Sequence, residues 1–255
     1  MKTTVNVSIL ATNYNNGKFL KAFFESIIES TVLPNEIIIV DDGSTDNSIK
    51  IINEFKKKIN IDLLKFDENK GRAAALNYGK KACTSKYTLI IDPDDILLPN
   101  RIETQFLYME ENKDIDILGG NVIYFNSETG EKLNKSNFPT SHNDIYKTYY
   151  KGENGILQPT ILAKTDVMQR LNYIQIAPGQ DYVFFANLAK LNYKFSALKQ
   201  PVNLMRIHTN SVVSNINFAS IQKIFLQRDK IFNTKTNNFI YSYIINIYIF
   251  IESRC

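Results

Sequence analysis

Two groups of aspartates each follow a hydrophobic run in the first hundred residues. IIIVDDGSTD contains Asp41, Asp42 and Asp46, and LIIDPDD contains Asp92, Asp94 and Asp95. In an open α/β sheet, ligands bind beyond the carboxyl ends of the strands, so both groups should face one crevice. Clustered carboxylates repel one another unless a cation or a donor offsets their charge, and Asp-x-Asp oxygens suit a hard divalent ion such as Mg²⁺ or Mn²⁺. The pattern predicts a divalent-cation site, to which a diphosphate could add further ligands.

Helix capping is the alternative explanation for these aspartates. Aspartate is common at strand ends and helix N-termini, where its oxygens accept free backbone N–H groups. Capping accounts for Asp42 and Asp46. Three acids at two strand ends exceed what capping requires, so Asp41, Asp92 and Asp94 are assigned to a functional site.

The hydrophobic pattern predicts the strands and helices that must position these acids. Short runs rich in Ile, Val and Leu predict buried strands at Val5–Ala11, Glu36–Val40, Ile61–Phe66, Tyr87–Ile91 and Ile115–Phe125. Helical spacing and capping signals predict helices at Lys18–Ser30, Asp46–Lys57 and Gly71–Cys83. Strands that alternate with helices predict an α/β fold with a mainly parallel, twisted sheet and helices on both faces.

Size and composition limit the function classes. The chain has 255 residues, 44% of them hydrophobic, which suits one main domain with an appended C-terminal piece. The net charge of +4 comes from scattered lysines, so nucleic acid is not an expected partner. Cys83 and Cys255 are too few for a disulfide framework or a thiolate zinc site. Because the N-terminus also lacks the pattern of a signal peptide, a cytoplasmic location is expected.

Residues 239–251, FIYSYIINIYIFI, form an apolar segment near the C-terminus. The segment is shorter than the roughly 20 residues that a membrane-spanning helix needs. Basic residues precede it, namely Lys223, Arg228, Lys230 and Lys235. The pattern fits a helix lying on an anionic membrane surface about as well as a packing or homodimerisation helix.

Six short motifs occur in a fixed order between residues 5 and 215: ATNYN, VDDGSTD, NKGRAAALNYG, IDPDD, GQDY and RIHTNS. DDGS or DxD alone is a weak signal, but the whole series resembles the family-2 glycosyltransferases, which have the nucleotide-diphospho-sugar transferase fold called GT-A. The resemblance implies a GT-A domain over residues 1–215 and a helical extension over 216–255. It implies an inverting enzyme, dependent on Mn²⁺ or Mg²⁺, that transfers a sugar from a nucleoside-diphosphate sugar to an acceptor hydroxyl.

The resemblance assigns residues to the nucleotide. Thr12 and Tyr14 would hold the base through backbone contact and ring stacking, with an ordinary half-buried aromatic as the alternative for Tyr14. Asp41 corresponds to an acid that accepts a hydrogen bond from the base, which favours UDP. Arg72 would grip phosphate oxygens, with a solvated surface arginine as the alternative.

The resemblance also assigns residues to the reaction. Asp92 and Asp94 would form the DxD element, with Asp94 as the direct metal ligand and Asp92 nearer the ribose or the diphosphate. Asp181 corresponds to the second acid of a Glu-Asp motif and would act as catalytic base, with helix capping as its alternative. The chain departs from the family pattern at Gln180, where the motif has glutamate.

Two further segments remain ambiguous. His208, which follows Arg206 in MRIHTNS, corresponds to a histidine that in some relatives reaches the metal or the diphosphate; a hydrogen-bonded structural histidine is the alternative. The stretch GILQPT, residues 155–160, resembles a segment that lines the acceptor pocket, or forms a simple turn.

Other nucleotide-binding classes fit poorly, since neither GxGxxG nor a GK[ST] loop occurs. A catalytically silent module that binds a nucleotide or a partner is the remaining rival, although the presence of Asp94 and Asp181 argues against it. The resemblance implies surface polysaccharide or lipooligosaccharide synthesis in a bacterium, on a carbohydrate or lipid-linked acceptor at the inner face of the cytoplasmic membrane.

Overall fold

The computed structural model describes residues 2–176, 179–207 and 218–235. The strands are β1 (Thr4–Asn13), β2 (Leu33–Asp42), β3 (Ile61–Phe66), β4 (Tyr87–Ile90), β5 (Ile96–Leu97), β6 (Ile117–Asn126), β7 (Lys132–Lys135), β8 (Leu162–Lys164) and β9 (Phe195–Ile207). The helices are α1 (Gly17–Glu29), α2 (Ser48–Phe55), α3 (Arg72–Ala82), α4 (Arg101–Glu111), α5 (His142–Lys151), α6 (Thr165–Arg170), α7 (Gln180–Lys190) and α8 (Phe218–Phe232). A short 3-10 helix, Gln158–Thr160, precedes β8.

One mixed sheet runs through the described residues in the order β3-β2-β1-β4-β8-β6-β9-β5, with β7 paired to β6. The first four strands are parallel, and Asn13 of β1 lies opposite Asp41 of β2. Their carboxyl ends therefore meet at one edge, as the βαβ pattern predicts. The second half is less regular, because the short antiparallel strand β8 joins β4 to β6, and β6 then pairs with β9 in parallel.

The sheet is covered on both faces, which confirms the predicted α/β architecture. Alternate residues of β1 and β2 point to opposite sides, so Leu10 and Ile38 belong to one apolar cluster while Ile9 and Ile37 belong to the other. The first cluster packs against α3, α6 and α7, and the second packs against α1, α2 and α4. Burial on both faces explains why the strands read as continuous hydrophobic runs.

Helix α3 lies unusually close to the sheet. A Cβ atom on Gly79 would come within 2.4 Å of a methyl carbon of Leu10 and 2.6 Å of one of Val40. Even alanine at this position would force Leu10, Val40 or the helix itself to shift. Glycine at position 79 therefore allows α3 to pack closely on β1 and β2.

The predicted elements differ from the observed ones mainly at their ends. Each of the five predicted strands and three predicted helices is present, and the strand Ile61–Phe66 has the predicted bounds. The predicted domain boundary at residue 215 and the apolar segment 239–251 both lie outside the described residues. Within the described part of the chain, α8 packs on α5 and α7. In that same part, no helix is both long enough and apolar enough to cross a membrane.

Candidate active site

The turn after β2 is held together by the side chain of Asp41. Its Oδ2 accepts a hydrogen bond from Asn13 Nδ2 at 2.7 Å, and its Oδ1 accepts one from the Ser44 backbone N–H at 2.9 Å. Asp41 is buried, and Gly43 adopts a positive φ of 74° within the turn. Both oxygens of Asp41 thus already accept bonds that shape the turn, and any bond to a base would be an additional one.

Asp42 and Asp46 accept backbone N–H groups. Asp42 accepts from Lys70 at 2.7 Å and from Gly71 at 2.9 Å, which joins β2 to the start of α3. Asp46 accepts from Gly17 and Ser48, the first residues of α1 and α2, both at 2.9 Å. Both acids thus satisfy backbone N–H groups at or just before helix starts, as the capping explanation expects, although the N-cap residues themselves are Asn16, Asn47 and Gly71.

Thr12 and Tyr14 lie at the carboxyl end of β1, beside the turn that contains Asp41. Thr12 is half-buried, and its backbone pairs with Val40 of β2. Tyr14 leaves 46% of its surface exposed, so its ring is not a core aromatic. An exposed ring beside the carboxyl ends of the strands is suited to stacking on a planar ligand.

Arg72 and Asp92 form an ion pair between the start of α3 and the turn after β4. The Arg72 Nη2 atom lies 2.5 Å from Asp92 Oδ1, and 36% of the Arg72 side chain and 22% of the Asp92 side chain remain exposed. Burial alone lowers the pKa of Arg72, but the charges of Asp92 and Asp181 outweigh it and raise that pKa above its ordinary value. Arg72 is thus a charged group that links α3 to the end of β4, and not a solvated surface arginine.

Asp92, Asp94 and Asp95 follow β4 in a tight turn, in which the Asp95 N–H donates to the Asp92 carbonyl oxygen at 3.0 Å. Burial raises the pKa of Asp92 despite the opposing effect of Arg72, and Asp94 adds to the increase. Burial and the charges of Asp94 and Asp92 raise the pKa of Asp95 well above its usual value. The ionised forms of these carboxyl groups are therefore costly, and a bound cation would stabilise them.

A fully buried arginine braces this turn from behind. Arg101 donates from Nε to Gln105 at 2.9 Å, from Nη1 to Asn203 at 2.5 Å and from Nη2 to the Ile90 carbonyl oxygen at 3.0 Å. Burial lowers the pKa of Arg101 to about 9, although Asp95 opposes that shift. The guanidinium fixes the last residue of β4, just before the acidic turn.

Asp181 lies in the first turn of α7. Its Oδ2 accepts a hydrogen bond from Asn154 Nδ2 at 3.2 Å, and its side chain is half-buried. Its charge contributes to the raised pKa values of Arg72 and Asp92. The structure therefore brings Asp181 into the neighbourhood of the Arg72–Asp92 pair, although about ninety residues separate Asp181 from Asp92 in the chain.

Sequence reasoning missed several residues that line this arrangement. Gln158 is buried, accepts a 3.4 Å bond from Arg72 Nη2 and donates a 2.9 Å bond to the Tyr173 hydroxyl group. Tyr173 in turn stacks on Phe184 of α7, with ring centroids 3.9 Å apart. Gln158 lies within the GILQPT segment, which was a detectable signal, whereas LNYIQ around Tyr173 carries no recognisable motif.

The donor set of the acidic turn suits a hard divalent cation, because carboxylate oxygens are the ligands that Mg²⁺ and Mn²⁺ prefer. Among the described residues, no group of three or more His, Cys, Asp or Glu side chains is placed to hold a metal. A cation at Asp92 and Asp94 would therefore need ligands from the substrate, from water or from elsewhere in the chain. His208, the remaining predicted ligand, lies outside the described residues.

The sheet thus has acids at the carboxyl ends of β2 and β4, and a further acid lies at the start of α7. The family profile described as glycosyl transferase family 2 matches residues 8–170. The chain belongs to glycosyltransferase family 2, and its enzyme class is that of a glycosyltransferase.

Curated relatives support the assignment. An uncharacterized glycosyltransferase, MJ1057 of Methanocaldococcus jannaschii, is 33% identical over 76% of this chain and 68% of its own length. A UDP-Gal:alpha-D-GlcNAc-diphosphoundecaprenol beta-1,3-galactosyltransferase of Escherichia coli is 30% identical over 71% of this chain and 65% of its own. The match covers 54% of one Haemophilus influenzae relative and 41% of Streptococcus pneumoniae GlyG, so several relatives extend well beyond it.

Solved structures share the fold. S. aureus TarS, in complex with UDP-GlcNAc, superposes with a TM-score of 0.70 at 19% identity over 89% of this chain and 66% of that chain. The mannosyltransferase PcManGT of Pyrobaculum calidifontis, in complex with GDP-Man and Mn²⁺, gives a TM-score of 0.63 at 14% identity over 91% of this chain and 65% of that one. At these identities the likeness establishes the fold alone.

Proposed function

We propose that this chain is an inverting, metal-dependent glycosyltransferase that moves a sugar from a nucleoside-diphosphate sugar to an acceptor hydroxyl. One observation carries the proposal: Arg72, at the start of α3, pairs with Asp92 at 2.5 Å and lies within electrostatic reach of Asp94 and Asp181. Groups from three separate elements thus converge at the edge of the sheet where ligands bind. Capping alone would not bring them together.

The base and ribose of the donor lie at the carboxyl ends of β1 and β2. The exposed ring of Tyr14 stacks on the base, and Thr12 contacts it through the backbone. Asp41 holds the neighbouring turn through Asn13 and Ser44 and accepts a further bond from the ring N–H of uracil. This arrangement favours UDP as the nucleotide.

The diphosphate lies between Arg72 and the acidic turn. A guanidinium that is already charged and partly accessible can donate to phosphate oxygens without a protonation step. Asp92 orients that guanidinium through the 2.5 Å ion pair. When a divalent cation is bound at Asp94 and Asp92, it supplies positive charge to the departing nucleoside diphosphate.

Asp181 acts as the base in the transfer step. The acceptor oxygen attacks the anomeric carbon from the side opposite the leaving group and forms the new glycosidic bond. As the bond from the anomeric carbon to the diphosphate oxygen breaks, the hydroxyl proton passes to the Asp181 carboxylate. The Asn154 bond to Oδ2 fixes the orientation of that carboxylate.

The biological setting is the assembly of a surface polysaccharide or lipooligosaccharide at the inner face of the cytoplasmic membrane. The support is the likeness to the Escherichia coli galactosyltransferase named above and to AmsE of Erwinia amylovora, an amylovoran biosynthesis glycosyltransferase that is 28% identical over 82% of this chain and 78% of its own length. The acceptor is then a carbohydrate or a lipid-linked saccharide. Either membrane contact or dimerisation through residues 239–251 fits this setting.

The test is a donor panel with the purified protein. UDP-, GDP- and dTDP-sugars are added with Mn²⁺, Mg²⁺ or EDTA, and thermal stabilisation and nucleotide release are recorded. Removing the base should lower release by about 10²- to 10⁴-fold in Asp181→Asn while donor binding persists. Asp94→Ala should abolish the metal-dependent stabilisation by the donor.

Asp114→Ala is the matched control, because Asp114 is an exposed aspartate in the turn between α4 and β6. It should behave as the wild type in both measurements. Stabilisation by a nucleotide without any release would favour the catalytically silent module. No response to any donor or metal would contradict the proposal as a whole.

A further inference from the structure

Arg206 lies near the end of β9, where the sheet approaches the acidic turn. Its backbone pairs with Phe125 of β6, and it precedes His208 by two residues. The side chain is half-buried. Arg206 therefore connects the second half of the sheet to residues that follow β4, more than a hundred positions earlier in the chain.

Two hydrogen bonds join Arg206 to the acidic turn. Its backbone N–H donates to Asp95 Oδ1 at 3.0 Å, and its Nε donates to the Asp94 carbonyl oxygen at 2.8 Å. The turn is closed by the bond from the Asp95 N–H to the Asp92 carbonyl oxygen. The Asp94 carbonyl and the Asp95 N–H belong to one peptide group, so this group is held at both of its polar atoms and anchors the backbone from which the Asp94 side chain projects.

The guanidinium of Arg206 is itself held by two buried aromatic rings. Its central carbon lies 4.7 Å from the ring centroid of Phe19 in α1 and 4.5 Å from that of Phe125 in β6. Cation–π attraction stabilises a guanidinium that lies over the face of an aromatic ring. Burial lowers the pKa of Arg206, while Asp94 and Asp95 oppose that shift. The acidic turn is thereby fixed to α1, β6 and β9 together.

We propose that Arg206 is a positioning residue that sets the Asp94 carboxylate for the cation and diphosphate, an inference that rests on the proposed function. The alternatives predict effects of different sign. Arg206 carries a positive charge beside Asp94, so loss of that charge alone would make a cation bind more tightly. A purely structural residue would change stability but not cation affinity. Only the positioning role predicts weaker cation binding after the side chain is shortened or neutralised.

The experiment measures the dissociation constant of Mn²⁺ at saturating UDP by titration calorimetry. The variants are Arg206→Met, which keeps an apolar stem against the two rings, and Arg206→Lys, which keeps the charge. Lys132→Met is the control, since it removes one positive charge at an exposed position of β7. Thermal melting of each variant is recorded alongside.

Arg206→Met should raise the Mn²⁺ dissociation constant about tenfold, the size expected for one lost charge-assisted hydrogen bond. The Mn²⁺ dissociation constant of Arg206→Lys should lie between those of Arg206→Met and the wild type. The dissociation constant of Lys132→Met should equal that of the wild type. The donor KM should rise in parallel, whereas kcat at saturating Mn²⁺ should change by less than about threefold, because a positioning residue acts chiefly on binding.

Unchanged or tighter Mn²⁺ binding by Arg206→Met would overturn the inference. If Arg206→Met fails to fold, Arg206→Lys decides the question, since it keeps the charge but lacks the Nε that donates to the Asp94 carbonyl oxygen; an unchanged dissociation constant would then overturn the inference. If the wild-type protein binds UDP equally well in Mn²⁺ and in EDTA, the inference about Arg206 is also overturned. Sugar transfer in EDTA would then show that the protein is a transferase that does not depend on the cation. Absence of both UDP binding and transfer would instead refute the proposed function.

Discussion

The turns after β2 and β4 contain the same kind of residue in similar settings, yet the structure uses them differently. After β2, the carboxylates of Asp42 and Asp46 accept backbone N–H groups at the starts of helices. After β4, Asp92 pairs with a guanidinium, and Asp95 has one buried oxygen, Oδ2, without a hydrogen-bond partner among the described residues. The carboxylates of the first turn are satisfied by donors of the fold itself, whereas the second turn keeps a buried carboxylate oxygen that has no partner among the described residues.

The pKa values separate the two turns in the same way. Burial tends to raise the pKa of Asp46, but hydrogen bonds from Ser48 and Gly17 outweigh it and lower that pKa. Burial raises the pKa of Asp95, and neighbouring carboxylates raise it further. Carboxylates that accept backbone N–H groups stabilise the fold. Carboxylates that lie near one another instead destabilise their ionised forms, and such a cluster suits a site that binds a cation.

Among the substitutions that test the difference between the two turns, removal of Arg72, the cationic partner of the second turn, should have the largest effect on donor binding. Arg72→Met deletes the ion pair with Asp92 and a phosphate contact, so the donor KM should rise by about 10- to 100-fold, as for the loss of a charged hydrogen bond. Steady-state kinetics with the donor sugar measures this. Arg170→Met, a change at an exposed arginine that ends α6, is the control. An unchanged KM would mean that the ion pair serves only the fold.

A substitution in the first turn should affect stability and not transfer. Asp46→Ala removes the acceptor for the first N–H groups of α1 and α2, and should cost about 1 kcal/mol, as for loss of a helix cap. For a chain of this size the melting temperature should fall by about 2 to 4 °C. Asp67→Ala, at an exposed position, should leave melting unchanged. A large loss of donor affinity in Asp46→Ala would show that the first turn also binds the donor, which would contradict the difference proposed between the two turns.

The smallest expected effect is on the pH dependence of the free energy of unfolding. Asp46 in the first turn and Asp95 in the second should change it in opposite directions. Asp46 has a lowered pKa in the folded state, so its stabilisation is present above its unfolded pKa and is lost as pH falls through the folded value. Asp95 has a raised folded pKa, so it destabilises the fold as pH rises from the ordinary value of 3.8 through the folded value.

Urea denaturation in EDTA, repeated across pH, tests both signs. The stability of Asp95→Asn relative to wild type should increase as pH rises above 3.8, because the introduced amide stays neutral while the Asp95 carboxyl group of the wild type ionises. The stability of Asp46→Ala relative to wild type should decrease over its own range as pH rises. Parallel curves for Asp95→Asn and wild type would show that Asp95 ionises as freely in the folded protein as in the unfolded chain.

Much of the first half of the fold was predictable from local pattern. Strands buried on both faces must be apolar, so the runs that became β1, β2 and β4 stand out between amphipathic helices, and the partly exposed edge strand β3 keeps enough Ile, Leu and Phe to be recognised. The predicted helix Asp46–Lys57 is shorter in the structure, running from Ser48 to Phe55, because Asp46 and Asn47 precede the first helical turn. In the second half, short strands such as β8 and β5 escaped prediction, since two or three residues carry no periodicity.

The sequence by itself determined which residue types stand at the strand ends, and hence that acids from β2 and β4 share one edge of a parallel sheet. It also determined the family, through the order of its motifs. Only the tertiary structure decided which acids are capped and which are paired, because that depends on contacts between distant segments. Arg206 reaches Asp94, and Gln158 reaches Arg72 and Tyr173, through a sheet whose second half is joined by pairings that no local pattern specifies.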